Sequence, residues 1–181
     1  MGTDKRVSVG VEVTGGGANV ALVDCQGRIH FRCQARTLWG RPAAATLEPY
    51  IRAIETVLAY AQVAGFEVCS LGVSVPGSVD TVAGRPLQLP TLPALNNFPI
   101  SDFLEARYKL PVKLFVDVDA VLLGEKRFGT GANRDFQKVQ RVLLLRVNAV
   151  VGAALMADGE LEQTTQAAIG HICHMPASTS G

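Results

Sequence analysis

The chain has 181 residues, of which 48% are hydrophobic, and its formal net charge is +1 at pH 7. This length suits one domain with part of a second, and the near-neutral charge gives no reason to expect a nucleic acid or a membrane surface as a partner. Charged residues, glycine or proline interrupt every apolar run before it reaches membrane-spanning length. Strand-like sequence begins soon after Met1 and leaves no room for a signal peptide, so a cytoplasmic location is expected. The four cysteines form neither a C-x-x-C pair nor a disulfide framework.

The first third of the chain predicts three strands and then a change to helical spacing. β-Branched residues alternate over residues 7–13, and two more strand-like segments follow at 19–23 and 29–35. Because short turns join them, they predict an antiparallel meander. Apolar residues at helical spacing then predict an amphipathic helix over residues 46–64, which Gly65 ends.

Strands and helices alternate in the remainder. Residues 79–99 contain four prolines and two adjacent asparagines, which predicts a long loop of the kind that is often functional. The other predicted elements are a strand at 70–75 that stops at Pro76 and Gly77, a helix at 100–108, a strand ending at 116, a helix at 120–128, and two strands at 142–147 and 151–156.

Asp117 and Asp119 are predicted in the turn between that buried strand and the helix that begins at residue 120. In open α/β sheets, ligand-binding and catalytic side chains collect at the carboxyl ends of strands. Either carboxylate could accept a proton from a substrate hydroxyl. The alternative is that both are polar turn residues and that Asp119 caps the helix.

The order β-β-β-α-β-α-β-α is typical of the α/β, ribonuclease-H-like fold of actin-like ATPases and sugar kinases. We predict an N-terminal domain of this kind over residues 1–135 and the start of a second over 136–181. The strands at 142–147 and 151–156 are apolar enough to be buried on both faces, and two strands cannot bury their own faces. They therefore predict a homo-oligomer built mainly through residues 140–175.

Four segments, at 74–80, 90–97, 117–125 and 170–175, are similar in order and spacing to the motifs V-P-G-x-V-D, P-N-L-P-G-W-x-N, D-A-N-A-A-x-L-G-E and G-E-I-G-H-M. These motifs identify the chain as resembling the ROK family of repressors and sugar kinases, which includes bacterial glucokinases and N-acylhexosamine kinases. The resemblance implies ATP-dependent phosphorylation of a hexose or an N-acetylhexosamine.

The resemblance also implies roles for individual residues. Asp117 stands where the family has its catalytic base, and His171 stands where the family has a sugar-binding glutamate. Asn96 and Asn97 stand in the family's sugar-binding loop, where each could bind the sugar or could hold the loop through side-chain-to-backbone hydrogen bonds. The substrate-binding residues that the resemblance implies are Pro76, Gly77, Asn96, Asn97, Asp117, His171 and His174.

The two phosphate motifs of the family, D-x-G-G-T-K and G-T-G-x-G, are both altered, at residues 12–17 and 148–152. The first keeps a carboxylate, Glu12, with an implied role toward Mg²⁺, but the motif's threonine and lysine are gone. Thr14 could supply a hydroxyl two residues early. Each hydrogen bond to a charged phosphate contributes about 1.5–3 kcal/mol, so losing two or three costs several powers of ten in affinity or rate. The implied Mg-ATP-binding residues are Glu12, Thr14, Gly15, Gly16 and Gly152.

Three functions are consistent with this pattern. The first is a sugar kinase in which phosphoryl transfer is impaired. The second is a non-catalytic sugar-binding or regulatory protein that acts through a partner, and the third is a chain whose missing half another chain supplies. Alone, the glycine run fits a flexible hairpin turn better than a phosphate turn, and with the flanking family match it fits both equally well. Zinc is not expected, because His174 alone matches a family ligand and a closed structural site takes four.

Overall fold

The computed structural model describes residues 5–129, 132, 139–147 and 151–162. The chain forms two compact units, residues 1–117 and 118–181. The predicted domain boundary at residue 135 differs from this division, which follows residue 117, and it stays a prediction. In chain order the helices and strands are β1 (Arg6–Val13), β2 (Gly17–Asp24), β3 (Ile29–Arg36), α1 (Ala43–Val63), β4 (Glu67–Val75), β5 (Ser78–Asp80), β6 (Arg85–Gln88), a 3-10 helix (Pro93–Leu95), α2 (Ile100–Tyr108), β7 (Val112–Val116), α3 (Asp117–Phe128), β8 (Arg141–Val147), β9 (Val151–Ala157) and β10 (Glu160–Leu161).

A five-stranded sheet with the order β3-β2-β1-β4-β7 forms the first unit. The first three strands are antiparallel, as short hairpin connections require, while β4 and β7 run parallel to β1. The connections from β3 to β4 and from β4 to β7 contain α1 and α2, which return the chain to the same end of the sheet. The predicted meander followed by βα units is confirmed.

One face of this sheet packs against α1 and α2 and forms the core of the first unit. Alternate residues of β1 point into this core, which is why alternation predicted a strand. A fully buried valine or leucine stabilises the fold by about 1.5–3 kcal/mol relative to an exposed one. Residues with at most 2% exposure in this layer include Val9, Val20, Leu22, Tyr50, Ile54, Val57, Leu71, Ile100 and Leu114.

Helix α1 starts three residues before its predicted start. Thr46 lies inside it, with a side-chain hydroxyl that donates to the Arg41 carbonyl at 3.1 Å. The predicted end is confirmed, because Gly65 has φ +72° and the Phe66 amide donates back to Ala61 at 2.9 Å.

The prediction of a loop throughout residues 79–99 is wrong, because β5 and β6 form a small hairpin there. Asp80 organises its turn by accepting hydrogen bonds from the Val82 and Ala83 amides at 3.1 and 2.8 Å. Pro86 obscured the strand in the sequence, but proline is tolerated in a strand at a sheet edge, and β6 pairs with β5 alone among the described strands.

The second unit contains an antiparallel sheet with the order β10-β9-β8. Ala153, Ala154 and Met156 of β9 are buried, but Leu143 and Leu145 of β8 are 59% and 57% exposed. One face of β8 is therefore uncovered in a single chain, and the predicted homo-oligomer that would cover it stays a prediction. Among the described residues of both units, no helix is long and apolar enough to cross a membrane.

Candidate functional site

Three parallel strands place Glu12, Pro76, Gly77 and Asp117 at one edge of the sheet. Glu12 lies opposite Ser74, and Val75 lies opposite Val116, so β1, β4 and β7 end side by side. Neighbouring strands are about 4.8 Å apart, so the ends of β1 and β7 are about 10 Å apart. The strand order also reverses at β1, because β2 lies on one side of β1 and β4 lies on the other. Such switch points, at the carboxyl ends of strands, are where open α/β sheets bind ligands.

Asp117 follows β7 directly and is half-buried. The sequence placed Asp117 and Asp119 in a turn before a helix at residue 120, but α3 already begins at Asp117, so both lie in its first turn. The alternative of Asp119 as the helix cap is therefore wrong. The first turn of a helix carries partial positive charge, which favours a carboxylate there.

Residues 14–17, the glycine turn, connect β1 to β2. The Thr14 amide donates to the Gly17 carbonyl at 2.7 Å, and the Gly17 amide donates to the Thr14 carbonyl at 3.4 Å. The Thr14 hydroxyl donates to the same Gly17 carbonyl at 3.2 Å. The one hydroxyl that the sequence offered to a phosphate is therefore engaged inside the turn.

Gly15 and Gly16 are not required by the fold. Neither has a positive φ, and a Cβ on Gly16 would meet nothing within 4 Å, while one on Gly15 would touch only Thr91, at 3.6 Å. Among the described residues, neither amide has a hydrogen-bond acceptor. Gly17 differs, because a Cβ there would collide with the Ala35 carbonyl oxygen. The middle of the turn thus offers two backbone amides without an acceptor among the described residues.

Glu12 belongs to a polar row that crosses three strands. Its carboxylate accepts a hydrogen bond from the side-chain Nδ2 of Asn19 at 2.9 Å, and the side-chain Oδ1 of Asn19 accepts one from the side-chain Nε2 of Gln34 at 2.9 Å. These contacts orient the carboxylate. The sequence analysis missed Asn19 and Gln34, and the register of the meander is the signal that could have found them, because the three residues pair directly across β1, β2 and β3.

The two asparagines of the sugar loop have different roles. The Asn96 side chain accepts a hydrogen bond from the Leu89 amide at 2.8 Å and so holds the loop. Asn97 is exposed and has φ +59°, and its side chain has no hydrogen-bond partner in the part of the chain that the structure describes. Gly77 has φ +119°, and a Cβ there would collide with the Gln88 carbonyl oxygen. These two constraints explain why a glycine follows Pro76.

The other predicted site residues lie in the second unit. Gly152 is the second residue of β9 and pairs with Arg146, while residues 148–150, His171 and His174 lie outside the described residues. Within the described ranges, no three His, Cys, Asp or Glu side chains are grouped to hold a metal ion. The expected absence of zinc stays a prediction.

Comparison with known proteins identifies the family. The model of the ROK family matches residues 8–181. A glucokinase from Thermotoga maritima is 30% identical over 172 residues, which cover 93% of this chain and 51% of the glucokinase. The transcriptional repressor Mlc of Escherichia coli is 27% identical over 112 residues, or 62% of this chain and 26% of the repressor. The chain belongs to the ROK family, and it spans about half the length of the glucokinase.

Solved structures support the same fold. A ROK family glucokinase from Streptomyces griseus, in complex with glucose and AMPPNP, matches with a TM-score of 0.73 at 24% identity, over 87% of this chain and 46% of that chain. A ROK family transcriptional regulator, a homologue of the E. coli MLC protein, matches with a TM-score of 0.77 at 21% identity, over 93% and 40%. The predicted actin-like, ribonuclease-H-like class is confirmed.

Proposed function

We propose that this chain is a ROK-type sugar kinase homologue that binds a hexose or an N-acetylhexosamine and in which phosphoryl transfer from Mg-ATP is impaired. The observation that carries the proposal is a contrast within one edge of the sheet. On the acceptor side, Asp117 follows β7 and the Asn97 side chain is exposed. On the phosphate side, the Thr14 hydroxyl is engaged within its own turn.

The acceptor side has suitable groups for a sugar hydroxyl. An amide such as that of Asn97 can donate and accept at once, which matches a hydroxyl group. Asp117 would take the hydroxyl proton as general base, a role that contributes about 10²–10⁴-fold to a rate when the reactants are positioned. Pro76 and Gly77 directly follow β4, which lies between β1 and β7. They would therefore lie between the sugar acceptor and the phosphate.

The phosphate side fits Mg-ATP in part. Glu12 would help to hold Mg²⁺, and the open amides of Gly15 and Gly16 would face a phosphate. When bound, Mg-ATP would supply the phosphoryl group. Two lost side-chain contacts to phosphate, at about 1.5–3 kcal/mol each, would lower affinity or rate by about two to four powers of ten. This loss is why we propose an impaired kinase.

The second candidate is a non-catalytic sugar-binding or regulatory protein that works through a partner. The same engaged hydroxyl favours it, and so does similarity to both kinases and repressors. The two candidates differ in turnover. A kinase releases ADP in the presence of sugar, whereas a binding protein gives a sugar-dependent thermal shift without ADP.

The test combines binding and turnover on the purified chain. We expect thermal shifts only at millimolar glucose or N-acetylhexosamine and no micromolar binding of Mg-AMPPNP by calorimetry. Asp117→Ala and Asn97→Ala should abolish the shifts, whereas Gln88→Ala, an exposed amide on β6, should not. Shifts that persist unchanged in the first two variants would place the sugar elsewhere, and micromolar nucleotide binding would contradict the impairment.

We also propose that the chain self-associates through β8. The exposed side chains of Leu143 and Leu145 would leave apolar surface in water at a cost of about 25 cal/mol per Å². Sedimentation velocity should show a dimer or larger species, and Leu145→Lys should dissociate it. Val82→Lys, at a residue that is 98% exposed in the first unit, is the control and should not. A stable wild-type monomer at high micromolar concentration would refute this part.

A further inference from the structure

We propose that Tyr50 and Thr37 are a positioning pair that fixes the glycine turn. This inference rests on the proposed function, since it concerns the turn assigned there to phosphate. Thr37 immediately follows β3, and Tyr50 lies on α1. Neither residue belongs to a motif on which the family resemblance rests, and neither was singled out by its sequence.

The pair connects the helix to the turn through two hydrogen bonds. The hydroxyls of Thr37 and Tyr50 lie 2.7 Å apart, and both residues are buried, at 8% and 2% exposure. The Thr37 amide donates to the Gly16 carbonyl at 3.2 Å. Two hydrogen bonds therefore connect Tyr50 of α1 to Thr37, and Thr37 to Gly16 in the middle of the turn.

Packing alone does not explain the two hydroxyls. Tyr50 lies among apolar side chains of the core, where phenylalanine would fill the same space. Burial raises the pKa of the Tyr50 phenol more than its hydrogen bond to Thr37 lowers it, so the group stays neutral and can act as donor or acceptor. Among the described residues, neither hydroxyl has another hydrogen-bond partner, and an unpaired buried polar group is unfavourable. The two side chains therefore hold each other in place.

The turn needs support from outside because it has almost no side chains. Gly15 and Gly16 contribute no packing, and a Cβ on Gly16 would find nothing within 4 Å. The turn is held by its own Thr14–Gly17 hydrogen bonds, by the close approach of Gly17 to Ala35, and by the Thr37 amide. Of these, the Thr37 contact alone reaches Gly16, whose amide is one of the two that would bind phosphate.

The test compares two tyrosine-to-phenylalanine variants. Tyr50→Phe removes the hydroxyl that holds Thr37. Tyr108→Phe is the matched control, because the Tyr108 hydroxyl donates to Ile51, the neighbour of Tyr50, at 3.4 Å and has no contact with the turn. In the ligand-free chain, Tyr50→Phe should speed amide hydrogen exchange of Thr37 by about fivefold to tenfold and shift the NMR amide signals of Gly15 and Gly16. Tyr108→Phe should change neither.

A second pair of variants keeps the test decisive if Tyr50→Phe does not fold. Thr37→Val should reproduce the faster exchange and the shifted glycine signals, and Thr37→Ser, which restores the hydroxyl, should return them toward wild type. Wild-type exchange and glycine signals in the variants that lack a hydroxyl would overturn the proposal, and so would equal changes in Tyr108→Phe.

Inorganic pyrophosphate separates this inference from the proposed function. Weaker pyrophosphate binding in Tyr50→Phe than in Tyr108→Phe would support both. If no variant and no wild-type chain binds pyrophosphate while the exchange and glycine signals still respond to Tyr50→Phe, the positioning pair stands and the phosphate role of the turn fails.

Discussion

The glycine turn and the segment of residues 76–99, here called the proline-rich segment, lie at the ends of neighbouring strands but are fixed in opposite ways. The proline-rich segment contributes Leu89, Leu92 and Leu95 to the core, at 0%, 3% and 0% exposure. The glycine turn contributes no side chain beyond Thr14 and depends on backbone hydrogen bonds. The proline-rich segment is thus partly buried in the core, whereas the glycine turn is held mainly by hydrogen bonds.

On the proposed function, this difference shows how the phosphate-binding part of a site could change while the fold is kept. Replacing a phosphate-binding side chain in the turn removes no buried surface, so such changes cost little stability. Replacing one of the buried leucines of the proline-rich segment disturbs the core. The requirements of folding therefore preserve the buried leucines of the proline-rich segment, whereas they constrain Gly15 and Gly16 of the glycine turn much less.

The largest expected effect tests the buried half. Leu95→Ala should lower the free energy of unfolding by about 2–5 kcal/mol, because it removes a fully buried side chain. It should also abolish the sugar-dependent thermal shift, since Asn96 and Asn97 follow directly. Urea denaturation measures the stability. Leu87→Ala, at a residue of the same segment that is 40% exposed, is the control and should cost much less.

Paired glycine variants sharpen the comparison. Gly77→Ala should destabilise the chain by about 1–3 kcal/mol, because φ is +119° and the new methyl would collide with the Gln88 carbonyl. Gly16→Ala should instead stabilise it by about 0.4–1 kcal/mol, since the backbone suits alanine and the space is open. Thermal and urea unfolding of both variants give the result. Equal destabilisation would mean that the two halves are held alike.

A repair experiment tests the phosphate half. The family resemblance places the missing threonine at Gly16, where a Cβ would meet nothing within 4 Å. Gly16→Thr should therefore fold and should tighten pyrophosphate binding by about tenfold to hundredfold, the contribution of one hydrogen bond to a charged phosphate. Gly16→Val, of similar shape without the hydroxyl, is the control. If both variants bind equally, the hydroxyl is not the missing element.

The fold was predictable where its pattern is local. Alternation located β1 within one residue, and Gly65 was identified as the end of α1. The β5–β6 hairpin was missed because Pro86 suggests a loop unless the strand is known to be an edge. The start of α3 was missed because the polar residues after β7 suggested a turn, although they are helical.

The site was predictable in its residues more than in its contacts. The motifs identified Asp117 and both asparagines, but only the structure distinguishes Asn96, which holds the loop, from the exposed Asn97. The polar row through Asn19 and the pair of Thr37 and Tyr50 depend on register and on contacts between distant segments. Such contacts carry no short motif, so a single sequence does not reveal them.

The smallest expected effect comes from the end of the sheet where β1 begins, opposite the glycine turn. Asp24 pairs with Val7 at the amino end of β1, away from the glycine turn. Burial raises the pKa of this carboxyl, but hydrogen bonds from the Arg28 amide, the His30 ring and the Gln26 amide together outweigh burial and lower the pKa below its usual range. Asp24 thus contributes stability that is fully present above the unfolded pKa and is lost as pH falls through the folded value.

Asp24→Asn should therefore reduce the free energy of unfolding by a constant amount above about pH 5, and the difference from wild type should shrink as pH falls below about 4. Urea unfolding at constant ionic strength between pH 3 and 7 measures this difference. His30→Ala should give part of the effect, because the His30 ring supplies one of the three hydrogen bonds. Pyrophosphate binding should be the same in wild type and Asp24→Asn, since the glycine turn lies at the other end. Parallel stability curves across this range would show that the carboxylate is not favoured by folding, and a change in pyrophosphate binding would show that the two ends are coupled.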